Sequence, residues 1–231
     1  MRLLAFETAT EACSVAVSVD GEVRERFAIA PRRHTGLALP WADALLAEAG
    51  LAKSQLDAIA VGRGPGAFTG VRLAVAIARG IALALDRPVL PVSTLAALAA
   101  RATGGRVIAA IDARMGEVYL GAFEQAGGDV RALDAEAVVR PDEAGVPAGG
   151  GWHGVGTGFD AADGALRRRL GATLDLVDAT ALPHAADVAR LAALAFARGE
   201  GIAPERLEPA YLRDNVALTL EQQEALRAAR G

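Results

Sequence analysis

Glu7, Thr8, Thr10 and Glu11 place carboxylates and hydroxyls together in one turn near the start of the chain. Such groups could order a phosphate or its metal ion, and a second acid, Asp112, stands in a comparable turn about half-way along. A third stretch, Gly156-Thr157-Gly158, could bring backbone close to a nucleotide, although Gly-x-Gly alone is explained as well by a plain strand-to-helix corner. Combined in one site, these residues would make a free-standing ATPase or kinase with its nucleotide between two halves of the chain.

The stretch Gly64-Pro65-Gly66-Ala67-Phe68-Thr69-Gly70 allows two readings. A glycine-rich turn entering a helix can hold an anion on free N–H groups. The phosphate-loop pattern, however, needs Lys and then Ser or Thr after its last glycine, and here Val71 and Arg72 follow Gly70. The alternative is a tight corner that lets the helix lie close to its neighbours, with Thr69 as the expected N-cap.

Other reactive side chains stand alone. Cys13 is the one cysteine, so no CxxC metal site or intrachain disulfide is available, and in a strand pattern it reads as a small core residue. Lys53, the one lysine, lies in a polar link. His34 precedes a helix with no second histidine nearby, and Arg167 to Arg169 reads as a solvated helix face. Neither Ser14 nor Cys13 has the surroundings of an activated nucleophile.

Composition sets the class. With 231 residues, 52% hydrophobic and 23% charged, the chain is expected to be globular with a sizeable core. A net charge of −4 argues against a broad basic surface that would hold nucleic acid unaided. The N-terminus lacks a signal-like apolar run and the longest uncharged piece is interrupted by Arg79, so a cytoplasmic chain with no membrane contact is expected.

The elements that must position these residues follow from periodicity. Leu3 to Phe6, Cys13 to Val19 and Glu22 to Ile29 predict a three-stranded meander, with Asp20-Gly21 as its second turn. Pro31 to Leu51 predicts a loop and an amphipathic helix; Asp57 to Gly62 a buried strand; Val71 to Leu85 a helix charged only at Arg72 and Arg79. Two rows of small residues run along that helix, Ala74-Ala78-Ala82 and Ala76-Gly80-Ala84, either of which would let another backbone approach. Pro88 to Val92 predicts a strand, and Ser93 or Thr94 caps the next helix.

After Gly104-Gly105 the pattern starts again. Moving the first hairpin by 105 residues lays Glu7 on Asp112 and Val15 on Leu120, the mark of a duplicated unit. A strand near Ala135 to Val139, another at Trp152 to Val155, helices at Ala161 to Leu170 and Pro183 to Arg198, and an extended Glu208 to Arg213 complete this part. Thr219 and Gln222 have capping-box spacing, predicting a terminal helix from Thr219 to Arg230.

Several stretches together resemble the TsaB (YeaZ) family. They are Phe6-Glu7-Thr8-Ala9 with Ser14-Val15-Ala16-Val17, His34 through Pro40, Gly62 through Arg72, Pro91 through Leu95, Ala110 through Tyr119, and Pro209 through Arg213, almost the full length. The resemblance implies an α/β actin-like, Hsp70-like (ASKHA) fold of two RNase-H-like lobes with mixed sheets flanked by helices. We expect the first lobe at 1–104, the second at 105–215 and a terminal helix at 216–231.

It further implies a non-catalytic subunit that supports TsaD in making threonylcarbamoyladenosine in tRNA. The catalytic relative carries a His-x-x-x-His metal pair where this sequence has Thr94 and Leu98, so no metal or cofactor of its own is expected, ATP and metal belonging to the partner subunits. Glu7 stands where an Asp is usual, which leaves Glu7, Thr8, Thr10 and Asp112 as remnants of a phosphate site. Expected partners are TsaD, the ATPase TsaE, a second copy when alone, and tRNA only through the complex. The association surface is expected on the helices at Thr35 to Ala49 and Thr69 to Leu85, through Leu39, Ala42, Leu46, Arg72, Val75, Ala76, Arg79 and Leu83.

Overall fold

The computed structural model describes residues 1–213. The expected helix from Thr219 to Arg230 therefore lies outside the described residues.

The first sheet is built from β1 (Arg2–Glu7), β2 (Ala12–Val19), β3 (Glu22–Ile29), β4 (Ala58–Gly62) and β5 (Val89–Val92), in the order β3-β2-β1-β4-β5. The meander β1–β3 is antiparallel, and β4 and β5 are parallel to β1. Asp20 and Gly21, at φ 50° and 94°, make the tight second turn.

The second sheet joins β6 (Arg106–Arg114), β7 (Glu117–Ala126), β8 (Asp129–Ala132), β10 (Trp152–Val155) and β11 (Leu174–Asp178) in the order β11-β10-β6-β7-β8, with β9 (Ala137–Val139) pairing on β7. Read from β8, this is the connectivity of the first sheet, an antiparallel meander followed by two parallel strands. The duplicated unit is thus visible in topology. Register refines the sequence alignment: Phe6 pairs Val15 and Ile111 pairs Tyr119, so the second strand is offset by 104, not 105. The cause is the turn region: Thr8 to Cys13 separate the paired Glu7 and Ser14, whereas Ala113 to Glu117, one residue fewer, separate the paired Asp112 and Val118.

Alternation along β1 sorts the core of the first lobe. Leu4 and Phe6, with Val15, Val17, Ile59 and Val61, pack under α1 (His34–Glu48) and α2 (Phe68–Leu85). Leu3 and Ala5, with Ala16, Ala58 and Ala60, face the other way, toward α3 (Thr94–Ala99) and α5 (Ala185–Ala197). Small side chains on that face let the Ala-rich α5 approach closely. Helix α5 is late in sequence yet packs on the first sheet, and Ile202 bridges to Val89 beyond it. The second lobe's own core gathers Ile108, Val118, Trp152, Phe159 and Leu166 beneath α4 (Ala161–Leu170).

Two local expectations change. Ala67, not Thr69, is the N-cap of α2; the Ala67 carbonyl already accepts from Val71, which leaves Thr69 exposed inside the first turn. The first residues of α4 are left-handed at Ala162, Asp163 and Gly164, so the regular helix starts later than the sequence suggests. Ser93 caps α3 as expected, accepting from Leu95 and Ala96 N–H at 3.1 and 3.2 Å.

Helix α2, at 18 residues, is long and apolar enough to cross a membrane by length and composition alone. In the fold it is two-sided. Val71, Ala74, Val75, Ala78 and Ala82 are buried on the sheet, and its two arginines are held by the chain segment after α5.

Candidate functional site

Glu7 ends β1 fully buried, with no charged partner. Its Oε1 accepts from Ala9 N–H at 2.7 Å and its Oε2 from the Thr94 hydroxyl at 3.0 Å. Thr94 in turn accepts from Gly64 N–H at 3.2 Å and returns its own N–H to the Gly64 carbonyl at 2.9 Å. Burial pushes the Glu7 carboxyl up to about 7, against the downward pull of the Ala9, Thr94 and Thr8 hydrogen bonds. The glycine-rich stretch is therefore a lid on this network. A Cβ at Gly62 would overlap the Glu7 carboxylate, and at Gly70 the Thr8 carbonyl oxygen. Of the two readings the sequence left open, the close corner is the one the geometry fills.

Asp112 stands two residues before the end of β6 and repeats part of this pattern at a half-buried position. Its Oδ1 accepts from the Arg114 N–H, two residues on, as Glu7 accepts from Ala9. Its Oδ2 pairs with the Arg114 guanidinium at 2.8 Å. This carboxylate braces a hairpin tip in which Arg114, Met115 and Gly116 are all left-handed, at φ 63°, 57° and 76°. The duplicated acids share a local structural duty.

Between the lobes lies a cavity of about 830 Å³. Thr10 and His34 line it from the first lobe, Asp112 and Thr157 from the second, Phe68 and Tyr211 at the side. His34 opens α1 and is neither a plain cap nor a surface residue: Nε2 lies 3.1 Å from both the Thr10 and Ala12 carbonyls, so that nitrogen carries the proton and donates. Thr157 accepts from the Asp112 N–H at 3.2 Å. The Gly-x-Gly around it is a packing device, since a Cβ at Gly156 would overlap the Ala110 carbonyl. Of the four expected phosphate-site remnants, Thr10 and Asp112 reach the cavity. Glu7 and Thr8 do not, because Glu7 is sealed against Thr94 and the Thr8 hydroxyl donates to the Gly70 carbonyl at 2.7 Å.

Thr94 and Leu98 do not fit a metal. The Thr94 hydroxyl is committed to Glu7, and Leu98 is fully buried in an apolar cluster with Leu95, Val107 and Phe123. Among the described residues no group of three or more His, Cys, Asp or Glu could hold a metal ion.

A Ser, a Glu and a His do converge at the start of α5. Ser14 donates to Glu25 at 2.6 Å, and Glu25 meets His184 Nδ1 at 2.8 Å. The carboxylate, not the imidazole, touches the hydroxyl, so this order cannot draw a proton off serine in the manner of a hydrolytic triad. It is a clamp: Ala185 N–H donates to Ser14, Ala186 N–H to Glu25, and the His184 ring stacks on Phe27 at 4.1 Å. Cys13 is buried and its thiol is pushed up to about 11 by that burial. The clamp was missed in sequence because its members are about 160 residues apart.

The expected association surface divides. Ala42, Leu46 and Val75 lie within the first lobe's core and cannot meet a partner, because the apolar stripe they share is the one that covers the sheet. Leu39, Arg72, Ala76 and Leu83 are exposed, and Arg79 is half-buried. The two small-residue rows of α2 part the same way: Ala74, Ala78 and Ala82 face the sheet, while Ala76, Gly80 and Ala84 face out. The outer face also carries Phe68, 52% exposed, and Leu83, 48% exposed.

Two lobes of one repeated topology, each an antiparallel meander extended by parallel strands and flanked by helices, define an α/β ASKHA-like protein. Residues 28–219 match the family model "TsaD: tRNA N6-adenosine threonylcarbamoyltransferase". The chain is 43% identical over 230 residues to "tRNA threonylcarbamoyladenosine biosynthesis protein TsaB" of Escherichia coli strain K12, covering 94% of this chain and 96% of that one. A protein of the same name in Haemophilus influenzae is 39% identical over 229 residues, covering 94% and 95%. The solved structure "YeaZ from Pseudomonas aeruginosa" superposes with a TM-score of 0.85 at 47% identity, covering 91% of this chain and 99% of that one. The chain belongs to the TsaB (YeaZ) family.

Proposed function

We propose that this chain takes part in forming threonylcarbamoyladenosine in tRNA as a non-catalytic subunit that binds TsaD and holds it in an active arrangement. The observation that carries this is the outer face of α2. A helix whose inner face is already buried presents a second row, Ala76, Gly80 and Ala84, beside exposed Phe68 and Leu83. Small residues let another helix come near, and the flanking apolar side chains supply area to bury. In isolation the same face pairs two copies, and in the complex it pairs unlike subunits, with TsaE engaging the pair. ATP, metal and tRNA are handled by the partners, which places the work in the cytoplasm with tRNA.

The test is transfer of the threonylcarbamoyl group to tRNA by TsaD with and without this chain, and with Ala76→Glu. Activity that needs the chain and falls with the variant supports the reading; equal activity in all three overturns it.

The second reading, a free-standing ATPase or kinase, draws on Thr10, Asp112 and Thr157 around the inter-lobe cavity. Glu7 is the acid that such chemistry would most need, and it is turned away from that cavity. Calorimetry with Mg-ATP on the isolated chain separates the two: micromolar binding with turnover favours the enzyme.

A further inference from the structure

After α5, which packs on the first sheet, the chain stays on the first lobe through Ile202 and Leu207, then crosses the cavity to the second lobe. Contacts at both ends fix residues 207–213. Arg79 donates to the Leu207 carbonyl, Ala210 N–H donates to the Arg63 carbonyl at 2.8 Å, and Arg72 Nε donates to the Tyr211 hydroxyl at 2.6 Å. These three anchor the segment to α2 and to the loop between β4 and α2. At its far end Arg213 donates to the Ala113 carbonyl at 3.2 Å and pairs with Glu117, both in the β6–β7 hairpin. Residues 210–213 line the cavity on the way.

We propose that residues 207–213 form an inter-lobe strap that couples the α2 helix to the β6–β7 hairpin and sets how far the cavity opens. The grip on the first lobe is through α2 itself. Arg72 lies 3.6 Å over the Phe68 ring and bonds Tyr211 from the same guanidinium, so the orientation of one exposed side chain on α2 fixes where the strap leaves the first lobe. The grip on the second lobe is at the left-handed tip that Asp112 braces, where Arg213 also reaches Met115. A hairpin tip in an unfavourable backbone conformation yields more readily than the sheet behind it, so the strap acts on the part of the second lobe that can move. This coupling belongs to the single chain and stands whether or not α2 binds TsaD.

Hydrogen exchange on the full chain tests it, comparing Tyr211→Phe, Glu117→Gln and Arg213→Lys with the unaltered protein. Tyr211→Phe keeps the ring and removes only the hydroxyl bonded to α2. It should raise exchange at Glu117 to Tyr119, in the other lobe, by about tenfold, the effect of losing one such net hydrogen bond where opening limits exchange. Glu117→Gln should raise exchange in the first turns of α2, and Arg213→Lys should retain most of the protection. Arg131→Ala breaks an exposed ion pair with Glu124 in the second lobe away from the strap and should leave α2 unchanged.

Lobe separation is read in parallel from spin labels at Thr35→Cys and Arg167→Cys, since buried Cys13 does not compete for the label. The Tyr211→Phe and Glu117→Gln changes should broaden the distance distribution. Exchange effects confined to the lobe that carries each substitution, with an unchanged distance distribution, would overturn the strap.

Discussion

Thr94 donates its hydroxyl to Glu7 across 3.0 Å inside the first lobe, joining the end of β1 to the first turn of α3 through two side chains that solvent does not reach. The carboxyl of Glu7 is held up to about 7 from an ordinary 4.5, with burial as the main cause. Below pH 4.5 folded and unfolded chains both keep the proton, and stability is at its full value. As pH rises from 4.5 through 7 the unfolded chain ionises first, so the native state loses roughly 3 kcal/mol and then levels off. Urea midpoints should therefore fall between pH 5 and pH 8. In Glu7→Gln that fall should be largely abolished; a variant as pH-dependent as the unaltered protein would assign the titration to another group.

The lid over Glu7 rests on glycine at positions where backbone comes within contact distance. Gly70→Ala would push a methyl into the Thr8 carbonyl and displace the loop that starts α2. A cost of about 2 to 3 kcal/mol is expected, as for overpacking in a close-packed site, and is measured by chemical denaturation. Association through α2 should weaken as well, because the helix start moves.

Glu25 provides the second pH arm. Burial raises its carboxyl, but hydrogen bonds from His184, Ser14 and Ala186 outweigh it and leave the group below its usual range. Its contribution is present above the ordinary carboxylate value and is lost as pH falls through the lowered one. Glu25→Gln should cost about 1 kcal/mol at neutral pH, after allowance for screening at a part-exposed site, and should reduce acid sensitivity. Exchange should rise first at the start of α5, whose N–H groups the clamp satisfies.

Much of this was legible because local signals agreed. Alternation in β1 to β3, the Asp20-Gly21 turn and the Ser93 cap each depend on neighbours a few residues away, and the repeated acid at Glu7 and Asp112 shows because each stands at the same point of such a local hairpin pattern. β8 and β11 leave no such signal, being edge strands of four and five residues with no fully buried side chain, too short a half-covered face to set a period. The inner stripe of α1 and α2 was mistaken in part for an outer one, since Ala42, Leu46 and Val75 are as apolar as Leu39 and Leu83, and only the sheet beneath decides between them. Long-range pairs, Glu25 with His184 and Arg72 with Tyr211, left no spacing to find. The seven-residue spacing of Arg72 and Arg79 puts them on one face of α2, but nothing local marks the strap that they hold.

The outer row of α2 can be probed with two substitutions, one that should stabilise the lone chain and one that should leave it nearly unchanged, while both weaken assembly. Gly80 is exposed in mid-helix, and a Cβ there would meet nothing within 4 Å. Gly80→Ala should therefore stabilise the isolated chain by about 1 kcal/mol through helix propensity. If another helix packs against Ala76, Gly80 and Ala84, the same methyl holds it away, so association measured by sedimentation or calorimetry should weaken while thermal stability of the monomer rises. Ala76→Glu should leave monomer stability within about 0.5 kcal/mol, as an exposed change away from special features, and weaken association by about tenfold or more through an unpaired buried charge. Opposite movement of the two readouts in Gly80→Ala cannot arise from misfolding. Unchanged association in both variants would move the partner surface off α2.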